Sequence, residues 1–444
     1  MRSSAVLRWA TLVAGAVLLL PACGGDDGGD DGDRAGDGGG DGGPVELTFW
    51  AWAPGIEQVV DLWNQQNPDI QVTVNQQDAG DALVTKVVTA IRAGSGAPDL
   101  MQAEYQALPT LVASDALADI SGALGDDVAG EFPDGIWSQV TLGGDAVYAV
   151  PQDSGPMMFY YREDVFAELG IEVPTTWDEY ADAARAVRAA RPDAYLGTFS
   201  SGDPGWFAGL TQQAGASWWG IDGDAWSVAV DDEPARRVAE YWGGLVEEGV
   251  IDNKPMYTPE WNTALNDGTQ VGWVSAIWAP GVLAGNAADT AGLWRMAPLP
   301  QWDENDPGTG TWGGSSTAVT SQSEHVEASV EFLTWLNTSE EAVTALVREG
   351  GLYPASQTYQ ETALAEPPEF FAGQPDFYDV AAQVTETVRP FTYGPNVNVA
   401  YNTYNDAFAT AAEARTAQAF LDALAAIQEA TVDDLVDSGF TVAE

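Results

Sequence analysis

From residue 46 onward the chain alternates short apolar segments with amphipathic ones, and this alternation limits the folds open to it more than any other feature. Residues 46–52 (ELTFWAW) predict a buried strand, and Pro54 opens a helix on which Ile56, Val59, Val60 and Trp63 recur at helical spacing. A second strand is expected over 70–74 after Asn67-Pro68, a helix over 82–93 that ends at Gly94, and a short strand over 99–101. The pattern resumes after Pro151. Thr176 and Glu179 have capping-box spacing ahead of a helix over 177–190, and Pro234 starts a helix that runs to Glu248 and stops at Gly249. Residues 271–276 read as a strand, and 325–336 and 402–430 as helices. Strand alternating with helix predicts an α/β fold with a parallel sheet covered on both faces. No repeat of fixed period is present, which argues against solenoids and propellers.

The chain ahead of residue 46 is of another kind. Residues 1–22 carry Arg2 and Arg8, then an apolar run over 10–20 too short to span a membrane, then Pro21 and Ala22 before Cys23. They read as a secretory signal peptide. The cysteine placed after a small residue resembles a bacterial lipobox, which implies lipidation of Cys23 and an anchor on the extracellular face of the cell membrane; plain secretion or a periplasmic location with a free thiol is the alternative. Residues 24–44 hold eleven Gly and seven Asp and can bury nothing, so 23–44 read as a lipidated tether. A Gly-rich coil of that length spans about 25 Å. It is no phosphate-cradling loop, because no strand precedes the glycines and the aspartates repel phosphate.

Sixteen Lys and Arg against 67 Asp and Glu leave a formal charge of −51, which excludes nucleic acid as a partner. Eighteen Trp, 14 Tyr and 14 Phe exclude a disordered body. One cysteine and one histidine, His325, permit no disulfide within the chain and no Cys/His zinc cluster, and no metal or cofactor is expected. His325 sits among Ser323, Glu324 and Glu327 and reads as exposed, not as part of a catalytic triad. The acidic run from Asp303 fails the calcium-loop spacing, with Pro307 at the fifth position and Gly314 at the twelfth. The surplus of acids fits either a saline environment or a GC-rich genome.

Residues 47–52, 97–100 (APDL), 146–151 (AVYAVP), 160–164 (YYRED) and 174–179 (PTTWDE) occur in one order, followed by 272–278 (GWVSAIW), 297–300 (APLP) and the pair Gly313-Gly314. In that order they resemble the extracellular solute-binding proteins of ABC importers, in the sugar-binding branch that includes maltose-binding protein. The resemblance implies the two-lobed class II periplasmic-binding-protein-like fold, each lobe a mainly parallel sheet flanked by helices, with the ligand cleft at the hinge. It implies a first lobe of 45–152 plus 296–335 and a second of 153–295 plus 336–444. It further implies a monomer with no catalytic residues that delivers its ligand to permease subunits.

Sugars present apolar faces as well as hydroxyls, and a rigid indole covers such a face at little entropic cost. Trp52, Trp206, Trp278 and Trp312 lie where strands or loops end, which is where sheets of this class bind ligands. Trp63, Trp177, Trp242 and Trp335 have the spacing of helix packing. Trp50 fits either role, and Trp218-Trp219 fits a loop contact or a hydrophobic plug. The resemblance places Glu104 and Tyr105 just past a strand and Gln152 and Asp153 at the first hinge crossing. Tyr353 and Tyr393 are candidates from late loops. Few cations lie near these segments, which favours neutral polyols over phosphates or carboxylates. A receptor for an oligopeptide or polyamine is a second reading. A secreted glycosidase, which needs only two carboxylates about 5 to 10 Å apart, is a third.

Overall fold

The computed structural model describes residues 43–443 apart from Asp78 and Asp224; the expected signal peptide, Cys23 and the expected tether to residue 42 lie outside the described residues. Among the described residues nine strands follow in chain order: β1 (Val45–Ala51), β2 (Ile70–Gln76), β3 (Leu100–Glu104), β4 (Ala149–Arg162), β5 (Trp219–Asp222), β6 (Ala225–Val228), β7 (Gly272–Ala276), β8 (Trp294–Pro298) and β9 (Thr311–Val319).

β1 lies between β2 and β3 and is parallel to both. The helix Ile56–Gln66 buries Ile56, Val59, Val60 and Trp63, as their spacing requires. It starts after Pro54 because Gly55, at φ 72°, turns the chain first. Helix Asp81–Ala93 ends at Gly94, whose left-handed backbone closes the last turn. In the second half, Thr176 Oγ1 accepts from the Glu179 amide and the Glu179 carboxylate accepts from the Thr176 amide, forming the expected capping box on helix Trp177–Ala190. The C-terminal helical region is two helices, Val397–Ala414 and Ala417–Asp437, broken where Arg415 takes φ 53° and Thr416 caps the second.

Two hydrophobic cores result. The first gathers Phe49, Trp63, Leu100, Val150, Val319 and Phe332. The second gathers Phe159, Trp177, Trp242, Trp273, Phe408 and Phe420. Around β4 in the second core the pairings are not parallel: β7 and β8 flank β4 and both run against it. β4 arrives straight from the first core, so its direction is set there and not by a helical crossover.

The cores also divide differently from the expected boundaries. Met296 and Leu299, expected in the first lobe, pack in the second core because β8 pairs with β4. Leu336, Ala342 and Leu346, expected in the second lobe, pack in the first, where the Glu341 carboxylate accepts from Gln66 Nε2 at 2.9 Å.

Three segments cross between the cores. β4 leaves the first core at Val150 and enters the second at Met157, while β9 runs the other way beside it. The third passes through Tyr353, whose carbonyl accepts from the Ser154 amide at 3.0 Å; the Ala355 amide donates to the Gln152 carbonyl at 3.1 Å.

Candidate ligand cleft at the hinge

The register of β4 against β9 shifts twice at the crossing, between Pro151 and Asp153 and between Ser154 and Pro156. Each shift inserts a residue without a partner, which bends the strand and re-aims side chains. Gln152 and Asp153 sit at the first shift. Asp153 accepts from the Ser315 hydroxyl on β9. Gln102 Nε2 donates to the same Ser315 oxygen at 2.9 Å, and Gln102 Oε1 accepts from the amides of Trp52 at 3.0 Å and Ala53 at 3.1 Å. One buried chain of hydrogen bonds therefore runs from the Trp52 backbone to the hinge carboxylate. Tyr105 closes it on the other side, its phenol donating to the Asp153 carbonyl at 3.0 Å.

The glycine pair expected at the second crossing has a steric role. A Cβ on Gly314, which holds φ 102°, would stand 2.9 Å from the Tyr105 ring. A Cβ on Gly313 would stand 3.4 Å from Trp278 Nε1. Bare backbone thus separates the first-lobe phenol from a second-lobe indole. Trp278 Nε1 donates to the Trp312 carbonyl at 2.8 Å, and the two rings meet edge to face with centroids 4.7 Å apart. Both are half-buried.

Beside Tyr105 and Gly313 lies a small cavity lined by Tyr105, Gln139, Gln212, Thr311, Arg389 and Tyr393, among others. Gln212 is 2% exposed and fixes one wall: its Oε1 accepts from the Thr311 amide at 2.8 Å and its Nε2 donates to the Arg389 carbonyl at 2.5 Å. Arg389 is a cation on this wall, contrary to the scarcity read from sequence, and its charge is offset by Asp306 at 2.8 Å.

Burial governs the electrostatics. Asp153 is raised to about 6, because desolvation outweighs the hydrogen bonds from Ser315 that favour its charged form. Burial, and then the Glu104 charge, push the Tyr393 phenol up to about 12 against the opposing hydrogen bonds with Tyr401 and Thr311. Burial and then the Asp153 charge hold Tyr105 well above its ordinary value. At neutral pH both phenols keep their protons and both can donate.

The expected residues therefore fall into two groups. The structure brings Tyr105, Gln152, Asp153, Trp278, Trp312 and Tyr393 together at the hinge, with Glu104 close enough to bias Tyr393 and Trp52 beside Glu104 in a shallow recess over Gly80. Two do not join them. Trp206 is 1% exposed, donates to the Val274 carbonyl at 2.9 Å and packs on Phe199 and Trp242, so it is core. Tyr353 is buried, with its phenol accepting from Thr385 Oγ1 at 3.3 Å, and it braces the third crossing. Trp218 and Trp219 are buried too, as a plug would be.

Gln102, Gln212, Thr311, Ser315 and Tyr401 were not foreseen. The adjacent glutamines Gln212 and Gln213 inside an otherwise apolar helix were a legible sign of buried polar work; the others carried none. Among the described residues there is no cluster of metal-ligating side chains and no helix long and apolar enough to cross a membrane.

A family model described as bacterial extracellular solute-binding protein matches residues 50–343. The arabinooligosaccharide-binding protein of Halalkalibacterium halodurans is 26% identical over 309 residues, covering 67% of this chain and 68% of that protein. Among solved structures, the galacto-N-biose/lacto-N-biose I-binding protein of an ABC transporter from Bifidobacterium longum, in complex with lacto-N-biose, superposes with a TM-score of 0.81 at 30% identity. That match covers 91% of this chain and all 100% of the other. An ABC transporter-associated binding protein from B. animalis subsp. lactis, in complex with β-1,6-galactobiose, gives 0.77 at 28% identity and covers 90% of this chain and 100% of its own.

Proposed function

Because this chain belongs to the bacterial extracellular solute-binding proteins, we propose that it is the substrate-binding lipoprotein of an ABC importer, which closes two lobes around a neutral sugar or oligosaccharide and hands it unaltered to a permease. The observation that carries the reading is the pairing of aromatic and polar side chains at the hinge. Half-buried indoles from Trp278 and Trp312 lie across two glycines from a hydrogen-bonding set of Tyr105, Gln152 and Asp153. Indoles take the C–H faces of a pyranose or furanose, and a carboxylate accepts from adjacent hydroxyls more strongly than a neutral acceptor. The relatives named above, which are sugar-binding by name or by bound ligand, support the same class.

The test is a thermal-shift and tryptophan-fluorescence screen with arabinooligosaccharides, galactobiose, putrescine and short peptides, followed by chromatography of the recovered sugar. Neutral sugars should raise the melting temperature, quench fluorescence and come back intact. A rise with amines or peptides alone would replace the ligand class, and cleavage products would make the protein a glycosidase. The anchor is tested separately. In Cys23→Ser no other cysteine can take the lipid, so the protein should leave the membrane fraction or remain as precursor, and a processed variant that stays on the membrane would refute lipidation.

A further inference from the structure

We propose that the contact between Gln139 and residues 391–395 sets the upper length of the sugar chain this cleft accepts, with Gln139 the specificity-determining side chain; the inference rests on the sugar reading above. Gln139 belongs to the first-lobe helix Asp134–Thr141, and its Nε2 donates to the Phe391 carbonyl at 2.8 Å. Thr110, on the first-lobe helix Leu108–Ala113, donates through Oγ1 to the Pro395 carbonyl at 2.9 Å. Two first-lobe side chains thus hold the two ends of a short second-lobe segment across the cleft.

That segment is a partition. Gln139 and Tyr393 line the hinge cavity on one side and, on the other, a groove of about 520 Å³ walled by Leu142, Ile221, Trp226 and Phe440. The free space on the hinge side is much smaller than that of the groove. A chain that extends from the hinge side into the groove meets Gln139 and Tyr393, the side chains that line both.

The backbone of the partition is fixed from behind. The Thr392 amide donates to Ser217 Oγ at 3.1 Å, and Gly394 lies so near the Trp219 indole that a Cβ would fall 2.2 Å from its Cδ1. Asn396 accepts from Trp219 Nε1 at 3.2 Å and donates to the Thr431 carbonyl at 2.8 Å. A wall pinned in this way does not swing aside for a ligand. Tyr393 is held in place by Tyr401 and Thr311. The movable piece is the Gln139 side chain, which is half-buried and has solvent beside it.

Isothermal titration calorimetry with arabinooligosaccharides and β-1,6-galactooligosaccharides of two to four units tests the assignment. Wild type should bind one of the dimers at least about tenfold more tightly than its tetramer. In Gln139→Ala the tetramer should gain until the two lie within about threefold, because cavity and groove become one channel. Thr110→Val breaks the other cross-cleft contact without lining the cavity, and should keep the wild-type ratio. A wild type that already binds tetramer as tightly as dimer overturns the proposal. A ratio that collapses equally in Thr110→Val overturns the role of Gln139, since loosened closure would then be the cause. Binding of no sugar of any length removes the sugar reading and the gate with it.

Discussion

The two lobes solve the same packing problem with different side chains. The first core buries Trp50 and Trp63, whereas the second buries Trp177, Trp206, Trp218, Trp219, Trp242, Trp261, Trp273 and Trp294. The surplus is continuous with the cleft. Trp261 meets Trp273 with centroids 5.0 Å apart, Trp273 meets Trp278 at 5.9 Å, and Trp278 meets Trp312 at 4.7 Å. The indoles proposed to meet a ligand are thus the half-buried end of a packed row and are rigid because the row is. The first lobe offers instead the polar chain of Gln102, Ser315 on the shared β9, and Asp153, rigid because each member is hydrogen-bonded to strand or hinge. On the proposed sugar reading, one lobe would cover ring faces and the other would hold hydroxyls.

The largest effect that sharpens this contrast is on stability. Trp242→Ala and Trp206→Ala should each cost about 3 to 5 kcal/mol by leaving a cavity among fully buried rings, with little change in the affinity of the protein that stays folded. Denaturant unfolding beside ligand titration reads both quantities. A Trp206→Ala protein that is stable but binds weakly would return Trp206 to the site.

Next comes the exposed end of the same row. Trp278→Ala should weaken sugar binding by about 2 kcal/mol, roughly thirtyfold, through the lost face and the loosened Trp312 carbonyl. Stability should change much less than in Trp242→Ala. Equal losses of stability in both would erase the distinction between core and cleft indoles.

The polar lobe is probed by pH. If a sugar hydroxyl donates to ionised Asp153, whose pKa is raised to about 6, affinity should be about tenfold lower near pH 5 than near pH 7 and level in Asp153→Asn. The unliganded fold responds with the opposite sign. Because the folded pKa is raised, the stability this group contributes is fully present below its unfolded value near 3.8 and is lost as pH rises through about 6. A binding profile that is flat in the wild type would remove Asp153 from contact with the ligand.

The smallest expected effect concerns the surface shared by both lobes. With a formal charge of −51, carboxylates repel across the folded surface, and screening shortens from about 10 Å at 0.1 M salt to about 3 Å at 1 M. If the composition is an adaptation to brine, the melting temperature of the unliganded protein should keep rising between 0.3 and 3 M KCl. A plateau by about 0.3 M points to ordinary screening and to genome composition as the source of the acids.

Local signals were legible wherever a residue's role follows from its near neighbours. Ile56, Val59, Val60 and Trp63 share a helix face by spacing alone, and Thr176 with Glu179 form their capping box within four residues. Trp206 misleads for the same reason: Pro204 marks a helix start, but helix Pro204–Gln213 is buried along most of its length, and the acceptor that draws the indole inward is 68 positions away at Val274. Gln102 reads as one polar residue in a strand until Ser315, 213 positions on, is placed beside it.

The sequence by itself determined the alternation of strand and helix, the periodic faces that fill each core and the acidic surplus, because each depends on residue type and short spacing. Only the tertiary structure decided which side chains share the cleft. In a strand a one-residue change of register turns every following side chain to the other face. The register that aims Asp153 at Ser315 arises where β4 and β9 meet, between residues 162 positions apart, with two shifts that neither strand shows alone.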